Sequence, residues 1–287
     1  MHADKNRNEL SRGQFSKPWE ELDITDNYLF CKIMSEPAFC KEMIERILGI
    51  KVKSLSFPGA EKQFSGTYVS RGIRLDVAAE DEKNVYDIEF QSVKYSDLPK
   101  RMRFYQGTLD VDSLTHSQNY ELLRETWIIF ICDFDMFGLE EPAYKVRMSL
   151  DSLEDSLLSE KYEDGTHKIF LNLNACDKIK DEKLRNFLKY LKTKQPQDSF
   201  TEKINRSVDF NRRNAQWRKD YMTVAQEIEY EKAQERKIAF ATGHTAGLAE
   251  GRTSAYAELV RKGIISVSQA AEQLGISEDD VRKMTEL

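Results

Sequence analysis

Hydrophobic and polar positions alternate most regularly between residues 73 and 91. Ile73, Leu75, Val77 and Ala79 alternate with Arg74, Asp76 and Ala78, and Tyr86, Ile88 and Phe90 alternate with Asp87, Glu89 and Gln91. A period of two marks extended chain with unlike faces, so the stretch predicts two strands joined by a turn at 81–84. With an even loop, either the two residues Glu82-Lys83 or the four residues 81–84, Asp76 lies opposite Glu89 and Arg74 opposite Gln91; an odd loop breaks that register. On the N-terminal side the pattern predicts a helix over about 26–48, kinked at Pro37 and stopped by Gly49, and then a strand near 51–57. On the C-terminal side Asp97 and Pro99 open a helix running to about 114, followed by buried strands over 126–134 and 142–150. Residues 151–173 show no clear period. A helix over 181–191 follows, then a break at 195–198 and one long polar helix to about Arg236. The order predicts an α/β fold with a helical C-terminal extension.

The predicted hairpin brings two carboxylates face to face. Directly opposed like charges destabilise a sheet, so the register makes physical sense with a cation between Asp76 and Glu89, and an all-oxygen donor set suits a hard divalent ion such as Mg²⁺. The competing explanation is a strand with one face in water, carrying acids for solubility. Spacing leaves both open.

Composition narrows the class. The chain has 287 residues, 40% hydrophobic and 10% aromatic, which suits a soluble globular protein with one sizeable core. The longest apolar run, 127–132, is far too short to span a bilayer, and residues 1–8 carry no hydrophobic signal region, so a cytoplasmic location without membrane contact is expected. Cys31, Cys40, Cys132 and Cys176 form no CxxC pair and read as reduced, mostly buried thiols. No Gly-rich phosphate loop and no Ser/His/Asp set is present.

Net charge is −6, but residues 178–219 carry thirteen Lys and Arg against five acids. That band, with Phe200, Phe210 and Trp217 interleaved, could serve phosphate contact and base stacking, or be the solvated side of a helix. A smaller basic group, Lys94, Lys100, Arg101 and Arg103, directly follows the hairpin. Farther on, Gly243, Gly247 and Gly251 recur every four residues, a spacing that lets helices approach closely and suggests a homo-oligomer built through the C-terminal helices. Residues 265–281 resemble a helix-turn-helix with Leu274-Gly275 as the turn and Ser277 as the N-cap of the second helix. Glu278, Asp279 and Asp280 open that helix, where they cap its dipole and oppose phosphate, so packing is as good a role for it as DNA reading. The expected division is a disordered tail over 1–20, a main domain over 21–195, a helical linker and assembly region over 196–252 and the helix-turn-helix-like segment over 253–287.

Asp76, twelve residues, Glu89-Phe90-Gln91 on a hairpin is similar to the core of the PD-(D/E)xK nucleases, in the variant where Gln replaces the motif lysine. Five blocks in order (25–34 with 40–50, 72–77, 86–91, 98–106 and 128–138) resemble the recombination-promoting nuclease (Rpn) family, a transposase-associated branch. The resemblance implies a restriction-endonuclease-like core and Mg²⁺-dependent hydrolysis of DNA phosphodiesters in recombination or transposition. It implies that Asp76, Glu89 and the Phe90 backbone carbonyl hold the ion, with Asp26 as a further candidate ligand or else a helix cap. Gln91 would orient the attacking water without supplying charge, and Arg101 and Tyr105, one helical turn apart, would contact the phosphate. Their other readings are a surface pair of Arg101 with Asp97 and a core position for Tyr105. Two alternatives stand beside the nuclease: a DNA-binding, transposition-associated protein whose catalytic site has weakened or decayed, and a protein-interaction module on the same fold.

Overall fold

The structure is a computed structural model that describes residues 17–57, 63–64, 73–74, 76–114, 118–151 and 159–285. Its helices are α1 (Asn27–Met34), α2 (Pro37–Leu48), α3 (Leu98–Ser113), α4 (Glu182–Thr193), α5 (Ser199–Asn211), α6 (Ala215–Arg261), α7 (Val267–Leu274) and α8 (Glu278–Thr285). The strands are β1 (Gln63–Phe64), β2 (Ile73–Arg74), β3 (Val77–Glu80), β4 (Asn84–Gln91), β5 (Glu125–Cys132), β6 (Ala143–Val146), β7 (Met148–Asp151), β8 (Ser159–Tyr162) and β9 (Thr166–Asn172).

Pro37 starts a new helix rather than bending an old one. It stands at the first turn of α2, where its missing N–H costs nothing, and Gly49 closes α2 with a φ of 67°. The hairpin has the predicted register: Val77 pairs with Ile88, Ala78 with Asp87 and Ala79 with Tyr86, around a turn closed by the Asp81 N–H bonding to the Asn84 carbonyl at 2.9 Å. Arg74 does not follow it. The chain bends at Asp76, so Arg74 leaves the hairpin and pairs with Gln63 in the separate β1–β2 ladder instead of with Gln91. Leu75 lies outside the described residues. Residues 51–57 make no named strand; a single bridge, Ser56 to Glu80, extends the sheet edge there.

The main sheet has the order β3-β4-β5-β9-β6, with β4, β5 and β9 parallel and β3 and β6 antiparallel at the edges. Parallel neighbours require a crossover, and α3 supplies it between β4 and β5. Leu98, Met102, Tyr105 and Leu109 of α3 pack on Ala78, Val85, Ile128, Phe130 and Phe170, and each such buried apolar side chain contributes about 2 kcal/mol. On the opposite face Phe90 meets Phe30 of α1, ring centroids 5.9 Å apart. Strand β4 is therefore covered on both sides, and its polar row does not face water.

Two further expectations change, and one stretch left open takes a form. Residues 142–150 are not one buried strand: β6 is a largely exposed sheet edge and β7 pairs with β8 apart from the main sheet. Strand β9, near the end of the stretch without a clear period, is interior to the sheet. The long polar helix is two helices, interrupted at 212–214, and the second runs on to Arg261.

Chain contacts divide the molecule into Met1–Val224 and Ala225–Leu287. Pro196 falls inside the first unit, because Phe200, Ile204 and Val208 of α5 are buried there and Phe200 packs against Phe39 and Phe187. Trp19, near the end of the expected tail, is also buried; its Nε1 donates to the Arg212 carbonyl at 2.8 Å and its ring meets Tyr28 and Tyr221. In the second unit Val260, Ala270, Ala271 and Val281 form a small core. Ser266 and Gln269 cap α7 reciprocally, and Gly275 ends it at φ 69°. Among the described residues no helix is long and apolar enough to cross a membrane.

Candidate active site

The alternation along β4 points Asp87, Glu89 and Gln91 toward α3, in line with Ile128, Phe130 and Cys132 on β5. Extending the hairpin register by one residue sets Asp76 opposite Glu89. All four polar side chains are buried, Asp87 at 0% and Glu89 at 3% exposure. The solvated-face explanation of their alternation therefore does not hold.

Asp76 and Glu89 are laced together through main-chain donors. The Asp76 N–H donates to Glu89 Oε1 at 3.1 Å, and the Phe90 N–H donates to Asp76 Oδ2 at 3.1 Å. The side-chain amide of Asn27, at the start of α1, donates to Asp76 Oδ1. Gln91 Nε2 donates to Glu89 Oε2 at 3.2 Å, so its N–H already serves the neighbouring carboxylate, while its Oε1 is the acceptor end.

Arg101 is inside rather than on the surface. Its guanidinium lies 3.4 Å from Glu89 Oε2 and rests over the rings of Phe130 and Tyr105, 5.2 and 5.6 Å from their centroids. Tyr105 occupies a core position, edge-on to Phe130. Burial pushes its hydroxyl well above the ordinary tyrosine range, reinforced by Glu89.

Burial also raises the carboxyls of Glu89 and Asp87 well above the usual carboxylate range. Asp76 reinforces both, Asp87 reinforces Glu89, and Arg101 pulls both partway back. Burial works against the Arg101 charge too, but Tyr105, Glu89, Asp76 and Asp87 outweigh it and hold the guanidinium protonated. Among the described residues, ionising all three carboxyls against Arg101 leaves an excess of negative charge that a divalent ion would cancel. The side-chain donors that the hairpin offers, the carboxylates of Asp76 and Glu89, are oxygen only, and this fits a hard ion such as Mg²⁺. Among the described residues no three His, Cys, Asp or Glu side chains converge on one point.

Asp26 takes a different direction from its neighbour. It precedes α1 but makes no side-chain cap; Oδ2 accepts from the Asp23 N–H at 2.7 Å and the carboxylate pairs with Lys17 at 2.9 Å. Asn27, not singled out from sequence, is the α1 residue that touches Asp76. Asp87 was visible as part of the polar row, but nothing in the spacing announced its complete burial.

Much of the basic band holds the fold together. Arg212 Nε donates to the Leu22 carbonyl, Lys194 to Thr25 Oγ1, Lys178 to the Glu140 carbonyl and Arg185 to the Ile179 carbonyl, while Arg218 pairs with Glu20 and Arg206 with Glu202. Phe200 is core, whereas Phe210 is 72% exposed. Near the hairpin, Lys94 donates to the Asp135 carbonyl, and Lys100 and Arg103 stand exposed on α3.

Comparison with curated proteins gives no match, and neither does comparison with solved structures. A family model does match: residues 28–240, well over half the chain, fit that of the PD-(D/E)XK nuclease family transposases. The match runs from α1 through the hairpin, α3 and the parallel strands, the elements that gather Asp76, Glu89 and Gln91. A mixed sheet with paired acids at the end of a hairpin, under a helix that crosses to a parallel strand, is therefore the nuclease core of a chain that belongs to the PD-(D/E)XK nuclease family transposases.

Proposed function

We propose that this chain is an Mg²⁺-dependent DNA endonuclease acting in recombination or transposition in the cytoplasm. The observation that carries the reading is the buried, register-matched pair Asp76 and Glu89, whose mutual repulsion is opposed by the Arg101 guanidinium and by N–H donors from Asn27, Phe90 and Gln91. Asp76, Glu89 and the Phe90 carbonyl would hold the ion, while Asp26, engaged by Lys17 and the Asp23 N–H, would not join them. Once bound, the ion supplies acidification of the attacking water and neutralisation of charge on the phosphate. Gln91 fixes Glu89 through its N–H and offers its carbonyl oxygen to orient a water. Arg101 contributes the positive charge that Gln91, standing in place of the commoner motif's lysine, does not supply, and Tyr105 supports it from the core. Exposed Lys100 and Arg103 would meet the DNA backbone beside the site.

The test is nicking of supercoiled plasmid with and without Mg²⁺. Wild type should cut only with the ion, and Asp76→Ala or Glu89→Ala should abolish cutting while circular dichroism stays native. Cutting by either variant at the wild-type rate overturns the assignment. A second reading, a DNA-binding protein with a weakened site, is favoured by the commitment of the Gln91 amide to Glu89; salt-sensitive DNA binding and Mg²⁺ binding without cleavage select it. Absence of salt-sensitive DNA binding selects an interaction module on this fold.

A further inference from the structure

The polar row of β4 contains one side chain that the hydrolytic reading leaves without a role. Asp87 is 0% exposed, and neither of its carboxylate oxygens has a hydrogen-bond partner among the described residues. A buried carboxylate in that condition is costly. Arg101 is in a matching condition: its Nε is buried without a partner, and its contact with Glu89, at 3.4 Å, is long for a charge-assisted hydrogen bond. The guanidinium is held over two rings rather than saturated by acceptors.

Asp87 sits two residues before Glu89 on the same strand face, roughly 7 Å along the strand. That is too far back to share an ion with Asp76 and Glu89, in keeping with the absence of any three-carboxylate cluster among the described residues. Its β5 partner Ile128 stands two residues from Phe130, whose ring lies under the Arg101 guanidinium, so Asp87 and Arg101 share the layer beneath α3. An ion engaging Glu89 would occupy the oxygen that Arg101 now faces and would repel the guanidinium. Two unpaired buried groups of opposite charge then stand on one side of the displaced contact.

We propose that Asp87 is a positioning residue that receives the Arg101 guanidinium when a divalent cation engages Glu89. The inference rests on the reading of Asp76 and Glu89 as the cation site. The transfer keeps the arginine charge inside the site instead of expelling it to solvent, and it gives both Asp87 and the Arg101 Nε–H the partner they lack.

The experiment follows the Arg101 Nε–H resonance of the full chain by ¹H–¹⁵N NMR during Mg²⁺ titration, with Arg101→Lys used to assign the signal. In wild type the backbone amides of Asp76 and Phe90 should shift with Mg²⁺, and the Arg101 Nε–H should shift downfield and exchange more slowly with water. In Asp87→Asn the amides should still respond, while the change at Nε–H is lost or much reduced. Asp87→Ser serves the same purpose if the amide variant folds poorly. Shifting amides with an unchanged Nε–H in wild type overturn the handover while leaving the cation site standing. An Nε–H response that persists in full in the Asp87 variants also overturns it. Amides that ignore Mg²⁺ overturn the cation site and the role of Asp87 together.

Discussion

Asp87 is the residue whose behaviour depends most on being buried. Its folded-state carboxyl is raised by burial and by Asp76, so the native protein holds that proton to higher pH than the unfolded chain does. Stability then falls as pH rises from the ordinary carboxylate range toward the raised native value, and the penalty is full above it. Asn in its place carries no such penalty. In metal-free protein Asp87→Asn should therefore raise the melting temperature at neutral pH, and the gain should shrink as pH falls toward the ordinary carboxylate range. A gain that grows on acidification would contradict the assignment. Alternation alone made Asp76, Glu89 and Gln91 legible as one face, because a strand cannot hide its period. It could not show that α3 covers that face, since the covering helix is a tertiary fact. Asn27 was invisible for a related reason: its contact with Asp76 spans 49 residues and has no local pattern.

At the scale of elements, local signals served well where the chain obeys a local rule. Pro37 and Gly49 bounded α2, and Asp97 with Pro99 opened α3, because φ restriction and missing donors act on the residue itself. They failed for β9, whose first residues Thr166, His167 and Lys168 give way to Ile169, Phe170 and Leu171 without alternation; an interior strand with successive residues such as Phe170 and Leu171 both buried does not need it. The glycines of α6 permit a direct test. Gly243, Gly247 and Gly251 are exposed, and a Cβ built on each meets nothing within 4 Å. Converting each to Ala should stabilise the helix by about 1 kcal/mol per position, seen as a higher melting temperature of the helical signal. A lower melting temperature with a fall in molecular mass would mean that a second copy packs closely on that face.

At the scale of the whole molecule, a few side chains join distant stretches of chain, and composition gives no hint of them. Arg46 reads in sequence as one more charge on an amphipathic helix. In the structure it is buried over the Phe200 ring at 4.3 Å, bonds to the Lys183 carbonyl at 2.9 Å and pairs with Asp198 at 2.6 Å, linking α2 to the regions of α4 and α5. Arg46→Ala should cost about 3 kcal/mol, because removing one partner strands the other. Arg46→Lys should recover little, since an ammonium cannot reproduce the planar, many-donor contact. Urea denaturation reads both; a loss below 1 kcal/mol for the alanine variant would mark the cluster as a surface pair.

The clasp at Trp19 has a consequence for the order in which the protein is made. Trp19 bonds to the Arg212 carbonyl, Leu22 accepts from Arg212, Tyr28 donates to the Trp217 carbonyl and Tyr221 donates to the Lys17 carbonyl. Each link waits for residues synthesised about 190 positions later. On the ribosome the hairpin and its acids emerge early, yet α1, which carries Asn27 to Asp76, gains this anchorage only after Tyr221 has left the exit tunnel. A nascent chain interrupted before that point would carry the sequence of the acidic site without the brace behind α1, so the emergence of Tyr221 sets the moment at which that site becomes fully held.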